Sequence, residues 1–69
     1  MPRMKSSREV IKTLMDFGFE FVSQRGSHIK YTHKIKRKTV IVPANKKEIP
    51  LGTMSSIIRQ SGLIKKDFD

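Results

Sequence analysis

Cysteine is absent from this 69-residue chain. That removes disulfides, thiolate metal sites and cysteine nucleophiles together, and fits a reducing compartment. Acidic residues are scarce: 6 Asp and Glu stand against 15 Lys and Arg, for a formal charge of +9 and a pI near 10.4. The carboxylates, Glu9, Asp16, Glu20, Glu48, Asp67 and Asp69, are scattered and make no metal-ligand cluster, so neither a metal nor a cofactor is expected. Long hydrophobic runs are missing too. Nothing approaches the roughly 20 apolar residues that cross a bilayer, and the longest β-branched stretch, Thr39 to Val42, is the length of a strand. Residues Met1 to Lys5 carry positive charge with no hydrophobic segment behind them, so no secretory signal is read and a cytoplasmic location is expected. The four glycines stand apart, without phosphate-loop spacing. With no repeat or linker, the chain reads as one domain over residues 6–69, preceded by a flexible tail over 1–5.

The remaining pattern is that of a small α+β fold. Ser6 and Glu9 form a capping-box signature, and Val10, Ile11, Leu14, Met15 and Phe17 recur at helical spacing before Gly18, which predicts a helix over 7–17. Aromatic and β-branched residues over 19–24 predict a strand, and Arg25-Gly26-Ser27 a turn. Over 28–33, Ile29 and Tyr31 alternate with His28, Lys30 and Thr32, which predicts a second strand with one polar face. A basic turn over 34–37 leads to a third strand, 38–42, stopped by Pro43. After a basic loop over 43–49, Pro50, Leu51, Met54, Ile57 and Ile58 predict a second helix ended by Gly62. Met15 and Met54 read as core filler, and Leu63, Ile64 and Phe68 as a closing turn. Two helices can bury their stripes on a three-stranded antiparallel meander only by covering one face. His28 and Lys30 are then expected on the open face or edge.

Between Arg25 and Lys47 lie eight basic residues, Arg25, Lys30, Lys34, Lys36, Arg37, Lys38, Lys46 and Lys47, and no Asp or Glu. Such a stretch attracts phosphates and gains affinity by counterion release. A solvated surface or a contact for an acidic protein accounts for the same charge. His28 follows a turn and opens a strand, where it can point away from the core. A neutral imidazole so placed can accept the proton of an RNA 2′-hydroxyl near pH 7, and Lys30, on the same face, can hold the phosphate or stabilise negative charge developing on it. From spacing alone, an exposed histidine with no role is the favoured reading. His33 is an odd number of positions away, so the two rings face opposite sides of the strand and form neither a metal pair nor an acid/base pair.

An ordered series of short motifs narrows these alternatives. Phe17-Gly18-Phe19, Arg25-Gly26-Ser27-His28-Ile29-Lys30-Tyr31, Val42-Pro43, Ile49-Pro50-Leu51-Gly52-Thr53 and Ile57-Ile58-Arg59-Gln60-Ser61-Gly62-Leu63 together resemble the HicA toxin family. The resemblance covers residues 6 to about 68. It implies a double-stranded-RNA-binding-domain-like fold in the order α-β-β-β-α, and a ribosome-independent endoribonuclease acting on mRNA and restrained by a HicB antitoxin. The family's Gly-Ser-His motif falls on Gly26, Ser27 and His28, which implies His28 as the catalytic residue. Lys30, Arg25, Ser27, Lys46 and Lys47 are the expected RNA contacts, and Tyr31 is expected in a core or supporting role. The free protein is expected to be a monomer with no membrane partner. A non-catalytic RNA-binding module with the same basic sheet is the alternative. Two segments depart from the family pattern: Lys34-Ile35-Lys36-Arg37 replaces a Pro-Asp-Gly type of turn, and Asn45-Lys46-Lys47 replaces glycines.

Overall fold

A capping box opens the first helix as the sequence predicts. The Glu9 N–H donates to Ser6 Oγ at 3.1 Å and the Ser6 N–H to Glu9 Oε1 at 2.9 Å, so two donors that the helix leaves unpaired are satisfied reciprocally. The computed structural model describes residues 4–69, in the order α1 Ser7–Asp16, β1 Glu20–Arg25, β2 His28–His33, β3 Lys38–Pro43, α2 Leu51–Ser61 and a closing 3₁₀ turn Lys65–Phe68. Of the tail expected over 1–5, residues 1–3 lie outside the described residues. Lys5 accepts a hydrogen bond through its carbonyl from the Ile49 N–H at 2.8 Å.

The sheet is antiparallel in the order β1-β2-β3, so β2 is central. Ile29 and Tyr31 of β2 and Val40 and Val42 of β3 are buried with Val10 and Leu14 of α1, Met54 and Ile57 of α2, and Phe19, Ile49 and Phe68. Both helices therefore cover one face of an α+β sandwich, as the pattern requires. Gln60 of α2 reaches the free edge of β3, where its Oε1 accepts the Ile41 N–H at 3.0 Å. One side chain thus satisfies an edge amide that the ladder leaves unpaired.

The helical apolar stripes are narrower than their sequences suggest. Met15 is 55% exposed and Leu51 is 63% exposed, although both fit the helical repeat. Each helix meets the sheet along one line, and a residue one step round from Leu14 is turned about 100° away from it. Phe17 caps α1 rather than extending it. Ile49, within the segment read as a basic loop, is almost fully buried, and Ile64 of the closing segment is exposed while Phe68 is buried.

Two devices hold the connections. Ser7 is only 3% exposed; its hydroxyl donates to the Pro43 carbonyl and accepts the Lys46 N–H at 3.0 Å, while its own N–H donates to the Lys46 carbonyl at 2.9 Å. The loop carrying Lys46 and Lys47 is thereby fastened to the start of α1. The second device is backbone conformation. Gly18 has φ +96°, and a Cβ there would stand 2.8 Å from His33 Nε2, whose ring packs edge-on against Phe19. Arg37 and Asn45 take left-handed φ values of 56° and 57° without being glycine. Asparagine tolerates this region, whereas arginine is strained there by roughly 1–2 kcal/mol.

Two predictions follow from these contacts. Ser7→Ala leaves a carbonyl and an amide without their partner and is expected to cost about 1–3 kcal/mol, a fall in Tm of at least about 4 °C in thermal denaturation. A shift below 1 °C would mean that the hydroxyl does not hold the loop. Arg37→Gly is expected to raise Tm, since relief of the left-handed strain exceeds the roughly 0.5–1 kcal/mol of extra chain entropy, while Gly18→Ala is expected to lower it. Shifts of the same sign in the two variants would contradict the backbone argument.

Candidate active site

Strand geometry decides which side chains meet on the uncovered face. Residues alternate sides along a strand, and directly paired residues in neighbouring strands share a side. His28, Lys30 and Thr32 of β2 therefore lie opposite the helices, while Ile29, Tyr31 and His33 point towards them. In β3, Pro43 pairs with His28 and Ile41 with Lys30, which brings both to the open face.

β1 reaches this face by an irregularity that periodicity does not reveal. Phe21 pairs with Tyr31, on the helix side, and an unbroken ladder would set Ser23 opposite Ile29, on that side too. Instead the register shifts between Phe21 and Ser23, so that Ser23 pairs with Lys30 and Arg25 with His28. Val22 is the extra residue of a β-bulge, and everything after it turns to the other face.

The result is an open recess of about 280 Å³ lined by Ser23, Arg25, His28, Lys30 and Ile41. Three of the residues expected from the sequence, Arg25, His28 and Lys30, are brought together here. Direct cross-strand partners have Cβ atoms about 4.5–5.5 Å apart, so Arg25 is the basic neighbour of His28, with Lys30 one step along β2. Arg25, His28 and Lys30 are all exposed, so each can meet a solvated polyanion without first being uncovered. Ser23 and Ile41 were not singled out by the sequence. Ile41 sits in a β-branched run that looks wholly internal, and only the pairing register shows Ser23 beside Lys30.

The other expected contacts surround one end of the recess without lining it. Ser27 lies in the two-residue turn between β1 and β2, and its carbonyl accepts the Ala44 N–H at 2.7 Å. That bond ties the turn to the start of the loop bearing Lys46 and Lys47, whose other attachment is Ser7. Both lysines are exposed. A second basic group, Lys34 to Arg37, occupies the turn at the opposite end of β2, about 17 Å away at roughly 3.3 Å per strand residue. Cations thus stand along the whole length of the central strand.

The remaining candidates belong to the other face. Tyr31 is buried, and burial pushes its hydroxyl pKa above the ordinary value, so it stays a neutral phenol near pH 7. It packs edge-on against Phe21, in keeping with a core role. His33 is half-buried; its Nδ1 accepts the Lys36 N–H at 3.1 Å and its ring meets Phe19, so it organises the 34–37 turn. Among the described residues, no three His, Cys, Asp or Glu side chains gather where they could hold a metal ion. No helix of the described residues is long and apolar enough to cross a membrane.

An imidazole flanked by two cations in an open recess can accept a proton beside a bound phosphate, and the uncharged Ile41 leaves the recess free of competing anions. No curated protein matches the chain. The family model described as HicA toxin of bacterial toxin-antitoxin systems matches residues 7–63, which includes both helices, all three strands and every residue of the recess. The chain therefore belongs to the HicA toxin family, and it is a toxin of the toxin–antitoxin kind.

Proposed function

We propose that this toxin is a metal-independent endoribonuclease that cuts RNA in the cytoplasm, with His28 as its catalytic base and a HicB-type antitoxin as its inhibitor. The observation that supports this most is the position of the two histidines. His33 is committed to the helix side, while His28 stands on the open face with Arg25 paired across from it and Lys30 beside it.

In the proposed reaction His28 takes the proton of a 2′-hydroxyl, the 2′-oxygen forms a bond to the adjacent phosphorus, and the bond from phosphorus to the 5′-oxygen breaks. Solvent protonates the departing oxygen. The products are a 2′,3′-cyclic phosphate and a 5′-hydroxyl. Arg25 and Lys30, held beside His28 by the pairing register, stabilise the charge that accumulates on the phosphoryl oxygens. Lys46, Lys47 and the Ser27 turn hold the strand at the same end of the sheet. Because the attacking oxygen must align with the leaving group, the cut nucleotide has to be free of regular helical stacking. The open recess suits such a flexible segment.

His28→Ala is expected to lower the single-turnover rate of RNA cleavage by about 10²–10⁴. As an exposed residue, it should change stability by less than about 0.5 kcal/mol. Cleavage at the wild-type rate by a folded variant would remove His28 from the mechanism. RNA that is bound but left intact by the wild type would favour a binding module instead, and loss of activity in EDTA that a divalent metal restores would contradict metal independence.

Salt should weaken RNA binding steeply. With Arg25, Lys30, Lys46 and Lys47 each neutralising one phosphate, log affinity should fall with log salt at a slope of about −3, or about 50-fold between 50 and 200 mM. Lys30→Ala should reduce the steepness by about 0.7, measured by fluorescence anisotropy on a labelled single strand. A flat response would place RNA away from these cations.

A further inference from the structure

A larger recess than the one at His28 lies among the helices. It encloses about 310 Å³ between the lead-in to α1, the start of α2 and the closing 3₁₀ turn, and shares no residue with the His28 site. Its wall is mainly apolar, with Met4, Leu51, Met54, Ile58 and Phe68 contributing. Leu51 is largely exposed although it belongs to the apolar pattern of α2, and Met4 is exposed beside it. A recess this size falls at the lower end of the range that holds ligands or anchoring side chains. Methionines in its wall can adapt to an incoming shape.

Two further observations specify the charge of the occupant. The cations lining the recess are Lys5 and Lys65, with Asp69 as the one carboxylate among the lining residues described. In addition, α2 begins at its edge without a side-chain cap. Pro50 occupies the N-cap position and can offer none, and the first turn contains no acidic residue. The amides of Leu51, Gly52 and Thr53 therefore present the positive end of an 11-residue helix, where a carboxylate is favoured. α1 meets the same requirement internally, through Ser6 and Glu9.

We infer that this recess is a second docking site for the antitoxin, taking an apolar anchor side chain flanked by acidic residues that face Lys5, Lys65 and the start of α2. With Lys5 and Lys65 against Asp69, the lining is itself net positive, so an acidic segment meets complementary charge there. The inference rests on family membership and, in counting this site as the second, on the proposed blockade of the open sheet face; it does not depend on RNA cleavage. It separates grip from blockade: the antitoxin holds the helix layer at one place and covers the open sheet face at another.

The test is isothermal titration calorimetry of the full-length antitoxin encoded beside this toxin into wild type, Leu51→Glu and Leu51→Lys. Leu51 is exposed, and a carboxylate at the first turn of α2 suits the helix, so Leu51→Glu should fold. It should weaken antitoxin binding at least tenfold, because the new carboxylate fills the recess and repels the acidic segment. Leu51→Lys should weaken binding less, since it loses apolar contact but retains attraction. Direct RNA binding by both variants should match wild type within about threefold. Unchanged affinity in both variants would overturn the inference, and equal losses in both would overturn the acidic character of the occupant. Sedimentation of the free proteins decides against a second copy of this chain: a wild-type dimer made monomeric by Leu51→Glu would replace the antitoxin as the occupant. Should the wild type fail to cut RNA, the calorimetry still reads this proposal independently.

Discussion

One extra residue in an edge strand determines whether the recess exists. The core needs Phe19, and β1 sets Phe21 beside Tyr31 on the helix side; the open face needs Arg25 opposite His28. Both demands cannot be met by a strand of unbroken period two, because all three positions are odd-numbered. The bulge at Val22 resolves the conflict by changing the face that follows it. The short turn at Gly26 and Ser27 then fixes the far end, with Arg25 paired directly to His28. The basic recess is therefore a consequence of register as much as of residue type.

The bulge also shapes the edge that β1 presents. All six residues of this strand are exposed, and Phe21 is 57% exposed although it points to the helix side. The helices pack mainly against β3, so the sheet extends beyond them at β1. Bulges and charged termini keep such an edge from pairing with further strands, and β1 has both: the irregularity at Val22, and Glu20 and Arg25 at its ends. At the opposite edge, Gln60 does the same work from α2.

Charge and hydrogen bonding are divided between different parts of the fold. The cations of the open face are solvated and contribute little to stability in the folded protein, where exposed charges are worth fractions of a kcal/mol. The loop that carries Lys46 and Lys47 is held by uncharged groups instead, the Ser7 hydroxyl and the Ser27 carbonyl. This division lets the surface remain strongly basic while the backbone beneath it is defined. Asn45 supplies the left-handed residue of this loop, a conformation that asparagine accepts at small cost.

By itself the sequence determined the elements and their order, since capping residues, period-two alternation and helix terminators are local signals that tertiary context did not override. The capping box at Ser6, the polar face of β2 and the stop at Gly62 all appear where those signals put them. Resemblance to a family, carried by motifs spread from Phe17 to Leu63, directed attention to His28 over His33, and the odd spacing already separated their faces. Tertiary structure decided what depends on pairing between distant residues. Ser23 and Ile41 entered the recess through register, Met15 and Leu51 left the core because each helix touches the sheet along a narrow line, and Ile49 joined it because its amide is tied to Lys5. None of these is local: a bulge shows only when two strands are aligned, and a buried face is defined by what covers it.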